Sequence, residues 1–150
     1  MKKPSVLPGL ASLFVAAGLA ACSSRPPTPV TFSEVCQKAG DRVVIEGYLR
    51  LPVMGTNCKS NRCMLNLISA LQGQVQSIPA QVRNTAKPGS GVNAMEPLPE
   101  KFSDRDLRIH ANDGGVVAPN TKLRITGEVR KAGGGCELSV DVIEAAGPAK

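Results

Sequence analysis

The chain has 150 residues, with 18 Lys and Arg against 12 Asp and Glu for a formal charge of +6, five cysteines, and aromatic side chains at only 3% of positions. That length fits one domain around a single core of modest size rather than several domains. So small an excess of cations is the ordinary state of a soluble domain, and charge alone does not mark a nucleic-acid binder.

At the start, Lys2 and Lys3 precede an uncharged run from Val6 to Ala21 made of Leu, Ala, Val, Gly and Phe14. A positive head followed by an apolar stretch ending in small residues is a secretory signal pattern. The run is shorter than the roughly 20 residues that span a bilayer, and Pro4 and Pro8 interrupt its front, so a signal explains it better than a transmembrane helix. It ends in Leu19-Ala20-Ala21-Cys22, which resembles the lipobox of bacterial lipoproteins. The resemblance implies removal of residues 1–21, a diacylglycerol on the Cys22 thiol and an acyl chain such as palmitate on the freed amine. Each buried methylene contributes about 0.8 kcal/mol and one chain binds only marginally, so three chains make an effectively permanent membrane anchor. Ser23 rather than Asp after the cysteine implies, by the same resemblance, an outer-membrane lipoprotein facing the periplasm. Loss of Lys2 and Lys3 with the leader lowers the formal charge from +6 to +4.

Residues 22–30 include Ser-Ser-Arg-Pro-Pro-Thr-Pro-Val, whose prolines favour an extended polyproline tether. Thr31 and Glu34 then offer a capping box, and Phe32, Val35, Cys36 and Ala39 follow at helical spacing before Gly40, which predicts a short N-terminal helix. Strand periodicity begins at Arg42, where Val43, Ile45, Gly47, Leu49 and Leu51 alternate with Val44, Glu46, Tyr48 and Arg50. Further strands are expected at Cys63 to Ser69, around Val75 to Val82, and at Asp106 to Asn112. The stretch from Arg83 to Lys101, rich in Asn, Gly and Pro and without a period, reads as a long surface loop. Leu123, Ile125, Gly127 and Val129 alternate with polar residues up to the turn Ala132-Gly133-Gly134-Gly135, after which Cys136, Leu138, Val140 and Val142 continue the inward set. Leu123 to Glu144 is therefore a hairpin. In both strongly periodic segments a glycine falls on the apolar face, as a sharply coiled barrel strand requires.

The glycine-bearing first strand, the cysteine-rich turn into the second and the closing pair Leu-Arg-Ile-Thr-Gly-Glu-Val and Cys-Glu-Leu-Ser-Val-Asp-Val-Ile resemble the oligonucleotide/oligosaccharide-binding (OB) barrels of small exported bacterial proteins, from about Asp41 to Glu144. The resemblance implies an all-β protein in which residues 31–150 form a small antiparallel barrel of about five strands. The helix usual between the third and fourth strands is not visible, unless Val116 to Asn120 or the segment before Gly40 replaces it.

With Cys22 acylated, Cys36, Cys58, Cys63 and Cys136 remain, an even number in an exported chain and so a disulfide framework with three connectivities. Cys58 with Cys63 and Cys36 with Cys136 is the favoured set, while the inward parity of Cys63 leaves a Cys63–Cys136 bridge open. Zinc is disfavoured because no Cys-x2-Cys pair is present. His110, the sole histidine, is expected on the outward face beside Arg108 without a role. No nucleophile–base motif, phosphate loop or metalloprotease motif occurs, which argues against an enzyme and implies no cofactor. Binding is what remains. The outer face of an OB barrel would carry Tyr48, Arg50, Lys59 and Arg62, groups suited to an acidic glycan or nucleic acid. Single-strand binders normally use several aromatic platforms, and beyond the leader this chain has only Tyr48, Phe32 and Phe102. The preferred reading is therefore a non-catalytic module that holds an envelope protein through a barrel edge or the 83–101 loop, and the alternative is capture of an anionic ligand.

Overall fold

The computed structural model describes residues 25–147. The leader and the acylation candidate Cys22 lie outside the described residues.

Five strands carry the architecture: β1 (Arg42–Arg50), β2 (Arg62–Ile68), β3 (Ser77–Asn84), β4 (Leu123–Ala132) and β5 (Gly135–Ala145). The first half of β1 pairs antiparallel with β4, from Arg42↔Glu128 to Gly47↔Leu123, and its end pairs with β2 from Tyr48↔Ile68 to Arg50↔Asn66. β2 pairs antiparallel with β3, and β4 with β5, while β3 and β5 run parallel through Ala80↔Leu138. The order β1–β2–β3–β5–β4 returns to β1, so the sheet closes on itself with the strand order of an OB barrel. One of its five seams is parallel, where an antiparallel barrel was expected.

Closure depends on two glycines. At Gly47 the partner of β1 changes from β4 to β2, and a Cβ there would stand 2.6 Å from the Ile68 carbonyl oxygen. Gly127 sits at the register shift of the β4–β5 ladder, where a Cβ would run into the Ser139 carbonyl. Both are the close backbone approaches that the alternation implied. Inside, Ile45, Leu65, Leu67, Ile125, Leu138 and Ile143 are fully buried.

The two disulfides are the favoured pair. Cys36–Cys136 ties the N-terminal segment to the start of β5, and Cys58–Cys63 closes the arm Cys58–Lys59 against β2. The alternative Cys63–Cys136 bridge does not form, because Cys63 is consumed by its antiparallel neighbour Cys58.

Several expectations need correction. The short N-terminal helix is absent, and a single 3-10 turn, Val35–Lys38, stands in its place. Half of the capping box is present, Glu34 accepting from both the Thr31 amide and hydroxyl, while the Glu34 amide donates to the Thr31 carbonyl rather than to its hydroxyl, and Ala39 leaves the helical region. The Gly40 amide is then committed to the Val129 carbonyl of β4, which stops the turn after one cycle. The tether also joins the sheet early, since Thr28–Pro29 runs parallel to Val43–Val44.

The 83–101 segment is not wholly surface loop. Ala94–Met95, fully buried, pairs parallel with the end of β3 and antiparallel with Ile109–His110. Neither Val116 to Asn120 nor any other part of this connection is an α-helix; Met95 and Ile109 instead join the core of the barrel. The expected strand at Asp106 to Asn112 shrinks to Ile109–His110, preceded by a 3-10 turn, Asp104–Asp106, held by a Ser103–Asp106 capping box.

His110 is a further correction. It is 3% exposed rather than outward, with Nε2 2.7 Å from Glu96 Oε1 and Nδ1 3.4 Å from the Gly114 carbonyl. An ionised carboxylate can only accept, so Nε2 carries a proton. That hydrogen bond, aided by one from the Gly89 amide, holds the Glu96 carboxyl below its ordinary value of 4.5.

Candidate functional site

Outward positions on β1 alternate with inward Leu49, which places Tyr48 and Arg50 together on the outer face near the strand's end. Arg50 Nη1 lies 3.1 Å from Asp104 Oδ2, and the other oxygen of that carboxylate accepts the Leu51 amide at 2.9 Å. Asp104 thereby fastens the connection between β3 and β4 to the exit of β1. Arg62 starts β2, four residues before Asn66, the partner of Arg50; at about 3.3 Å per residue that is roughly 13 Å along the strand. Its guanidinium reaches across β3 to the Gln81 carbonyl at 3.3 Å and the Ser139 hydroxyl at 3.2 Å. Lys59, directly opposite Arg62, completes this second group.

The structure therefore brings Tyr48 together with Arg50, and Lys59 together with Arg62, and keeps the two pairs apart. A cleft of about 240 Å³ adjoins the first pair, between β1 and the connection around Asp104 and Val117. A separate one of about 270 Å³ adjoins the second, beside Met64 and Gln81. Elsewhere Arg42 pairs with Asp141, Lys122 with Glu46 and Arg130 with Glu128. These pairs are roughly half exposed and add at most about 1 kcal/mol each. Among the described residues no three His, Cys, Asp or Glu side chains come together as a metal site.

One surface escaped the sequence reading. The loop after β1 leaves Val53 and Met54 99% and 98% exposed. It is nonetheless a built turn, with the Gly55 amide donating to the Pro52 carbonyl, the Thr56 hydroxyl donating to the Met64 carbonyl, and the Cys58–Cys63 bridge closing its base. Its signal was available, since Leu51-Pro52-Val53-Met54-Gly55 sets adjacent apolar residues between a proline and a glycine. Isolated exposed apolar residues are common, and an adjacent pair left almost wholly in water is a candidate contact.

The fold and these surfaces define a small closed β-barrel of OB type with candidate binding positions on its outer face and loops. No protein-family model matches the chain, and no curated protein matches it. Solved structures similar to it include a putative aspartyl-tRNA synthetase from Leishmania major Friedlin, at 14% identity and a TM-score of 0.44, matching 85% of this chain and 22% of that one. The S. pombe Stn1-ten1 complex matches at 16% identity and a TM-score of 0.42, over 84% of this chain and 82% of that one. An OBody bound to hen egg-white lysozyme matches at 13% identity and a TM-score of 0.43, over 83% and 96%. The chain thus spans about a fifth of the synthetase's length.

Proposed function

We propose that this protein is a non-catalytic binding module, anchored to the outer membrane by fatty chains on Cys22, that holds an envelope protein on the loop between β1 and β2. The observation that carries the reading is the exposure of Val53 and Met54 on a cross-linked turn. Covering each of these side chains contributes about 1.5–3 kcal/mol, and a loop already ordered by hydrogen bonds and a disulfide loses little further entropy on binding. The anchor's direction agrees with this. The tether reaches the barrel at Thr28, opposite Val43, whereas the loop leaves the far end of β1 beyond Arg50. Seven strand residues correspond to roughly 23 Å, so the loop points away from the anchored end.

The test has two parts. Mass spectrometry of the native protein should find Cys22 as the first residue, bearing three acyl chains. Capture from envelope extracts should then yield one protein whose retention survives about 0.5 M salt and is lost in the Val53→Asp/Met54→Asp double variant. Capture that is salt-sensitive, or indifferent to the double variant, contradicts the reading.

A further inference from the structure

The cleft beside Tyr48 lies at the same end of β1 as the loop that carries Val53 and Met54, but neither of those side chains lines it. Its geometry points to a binding site for a small organic anion: a single ring carrying a carboxylate or a phosphate monoester.

The floor is apolar. Leu49, Ile109 and Leu123, all buried core residues, reach it from the barrel, and Leu107 and Val117 add apolar walls. The rim carries the polar groups Tyr48, Arg50, Arg105 and Thr121. An apolar floor with a few convergent polar groups is the usual make-up of a small-ligand site.

Both walls are fixed without a ligand. On one side, Asp104 accepts from the Leu51 amide and from Arg50, and Ser103 and Asp106 cap the 3-10 turn between them. On the other, the Val117 amide donates to the Ile109 carbonyl and the Thr121 amide to the Ala118 carbonyl, with Asn120 held at φ +60°. A site assembled in advance loses less on binding than one the ligand must order.

The charge selects an anion. Two guanidinium groups, Arg50 and Arg105, face one carboxylate, Asp104. Arg50 directs only one nitrogen at Asp104, which leaves most of its five donors for another acceptor. Arg105 makes no ion pair among the described residues. Tyr48 and Arg50, two residues apart on one face of β1, stand about 7 Å apart along the strand. That separation matches a ring lying on the phenol with its acid group on the guanidinium.

About 240 Å³ equals the share of roughly eight liquid waters at about 30 Å³ each, enough for one ring. Lys59 and Arg62 line a different cleft, so the cations at this one are Arg50 and Arg105.

The experiment titrates the full-length protein, in detergent and isotopically labelled, with phenyl phosphate, galacturonate and uncharged benzyl alcohol, following backbone amide shifts. At least one anionic probe should saturate, with shifts confined to 48–51, 104–109 and 117–123, and benzyl alcohol should bind at least about tenfold more weakly. The aromatic and sugar probes separate an aromatic acid from an acidic sugar as the source of the anion. Arg105→Ala, an exposed position outside the hydrogen bonds that hold the walls, should weaken the better probe by about tenfold while leaving the remaining spectrum unchanged. Tyr48→Leu should weaken it too, with the Arg50–Asp104 pair intact. Absence of saturation by every anionic probe, shifts scattered over the basic surface, or an unchanged affinity in Arg105→Ala would overturn the assignment.

Discussion

Two connections leave the barrel at comparable points and treat their apolar residues in opposite ways. The β1–β2 connection is short, closed by Cys58–Cys63, and leaves Val53 and Met54 in water. The β3–β4 connection is far longer, has no disulfide, and buries Met95, Ile109, Ala111 and His110. The long one is thus part of the core, and its order comes from packing, the Ala94–Met95 pairings and the His110–Glu96 contact. The short one is ordered by its disulfide, its backbone turn and the Thr56 hydroxyl, which leaves Val53 and Met54 without a structural duty. Apolar groups with no duty inside the fold are those available to a partner.

Truncation of Met95 tests the first half of this contrast most severely. Met95→Ala should lower the unfolding free energy by about 3 kcal/mol, read from urea midpoints, because a fully buried side chain leaves a cavity. A loss below about 1 kcal/mol would make the long connection a surface loop after all.

Opening the short connection should have a smaller effect. Replacing the exposed Cys58 by serine and the buried Cys63 by alanine removes a bridge with a sequence separation of only 5, which the chain-entropy view values at about 2 kcal/mol. Faster amide exchange should then be confined to 51–61, with the barrel unaffected.

Acid should loosen the long connection and not the short one. Glu96 has its folded pKa depressed, first by the His110 hydrogen bond and then by the Gly89 amide, so its contribution is present above 4.5 and is lost as pH falls through the depressed value. Glu34, lowered by its Thr31 hydrogen bonds, adds to the same acid limb. Glu96→Gln should reduce the loss of stability below pH 4.5 and cost about 1 kcal/mol near neutrality. An unchanged acid limb would deny the buried pair its role.

The smallest effect belongs to the loop tip. Val53→Asp/Met54→Asp should change stability by less than about 0.5 kcal/mol, since neither side chain touches the core.

The same contrast explains what could be read from the sequence. β1, β2, β4 and β5 each carry seven or more residues of sustained alternation in sequence, and their expected positions agree with the observed strands to within a residue or two, although the parity of β5 flips so that Ile143 and not Val142 is buried. The glycines at 47 and 127 signalled the two close approaches. Ala94–Met95 and Ile109–His110 are two-residue strands whose partners are distant in sequence, and two residues cannot show a period. His110 was misplaced for the same reason, because alternation assigns an outward face but cannot reveal that Glu96 and Gly114 cover it. Tyr48 and Arg50 occupy alternate outward positions of β1, and strand order alone did not show that Arg50 and Arg62 are separated along β2 and committed to different partners.

The central claim is that the β1–β2 loop is the partner contact, and photo-crosslinking in the native host tests it most directly. A photoreactive residue at position 54 should give one protein adduct that is not formed from Val116, an exposed apolar position on the other connection. Equal adducts from both positions, or an adduct from 116 alone, would contradict the account.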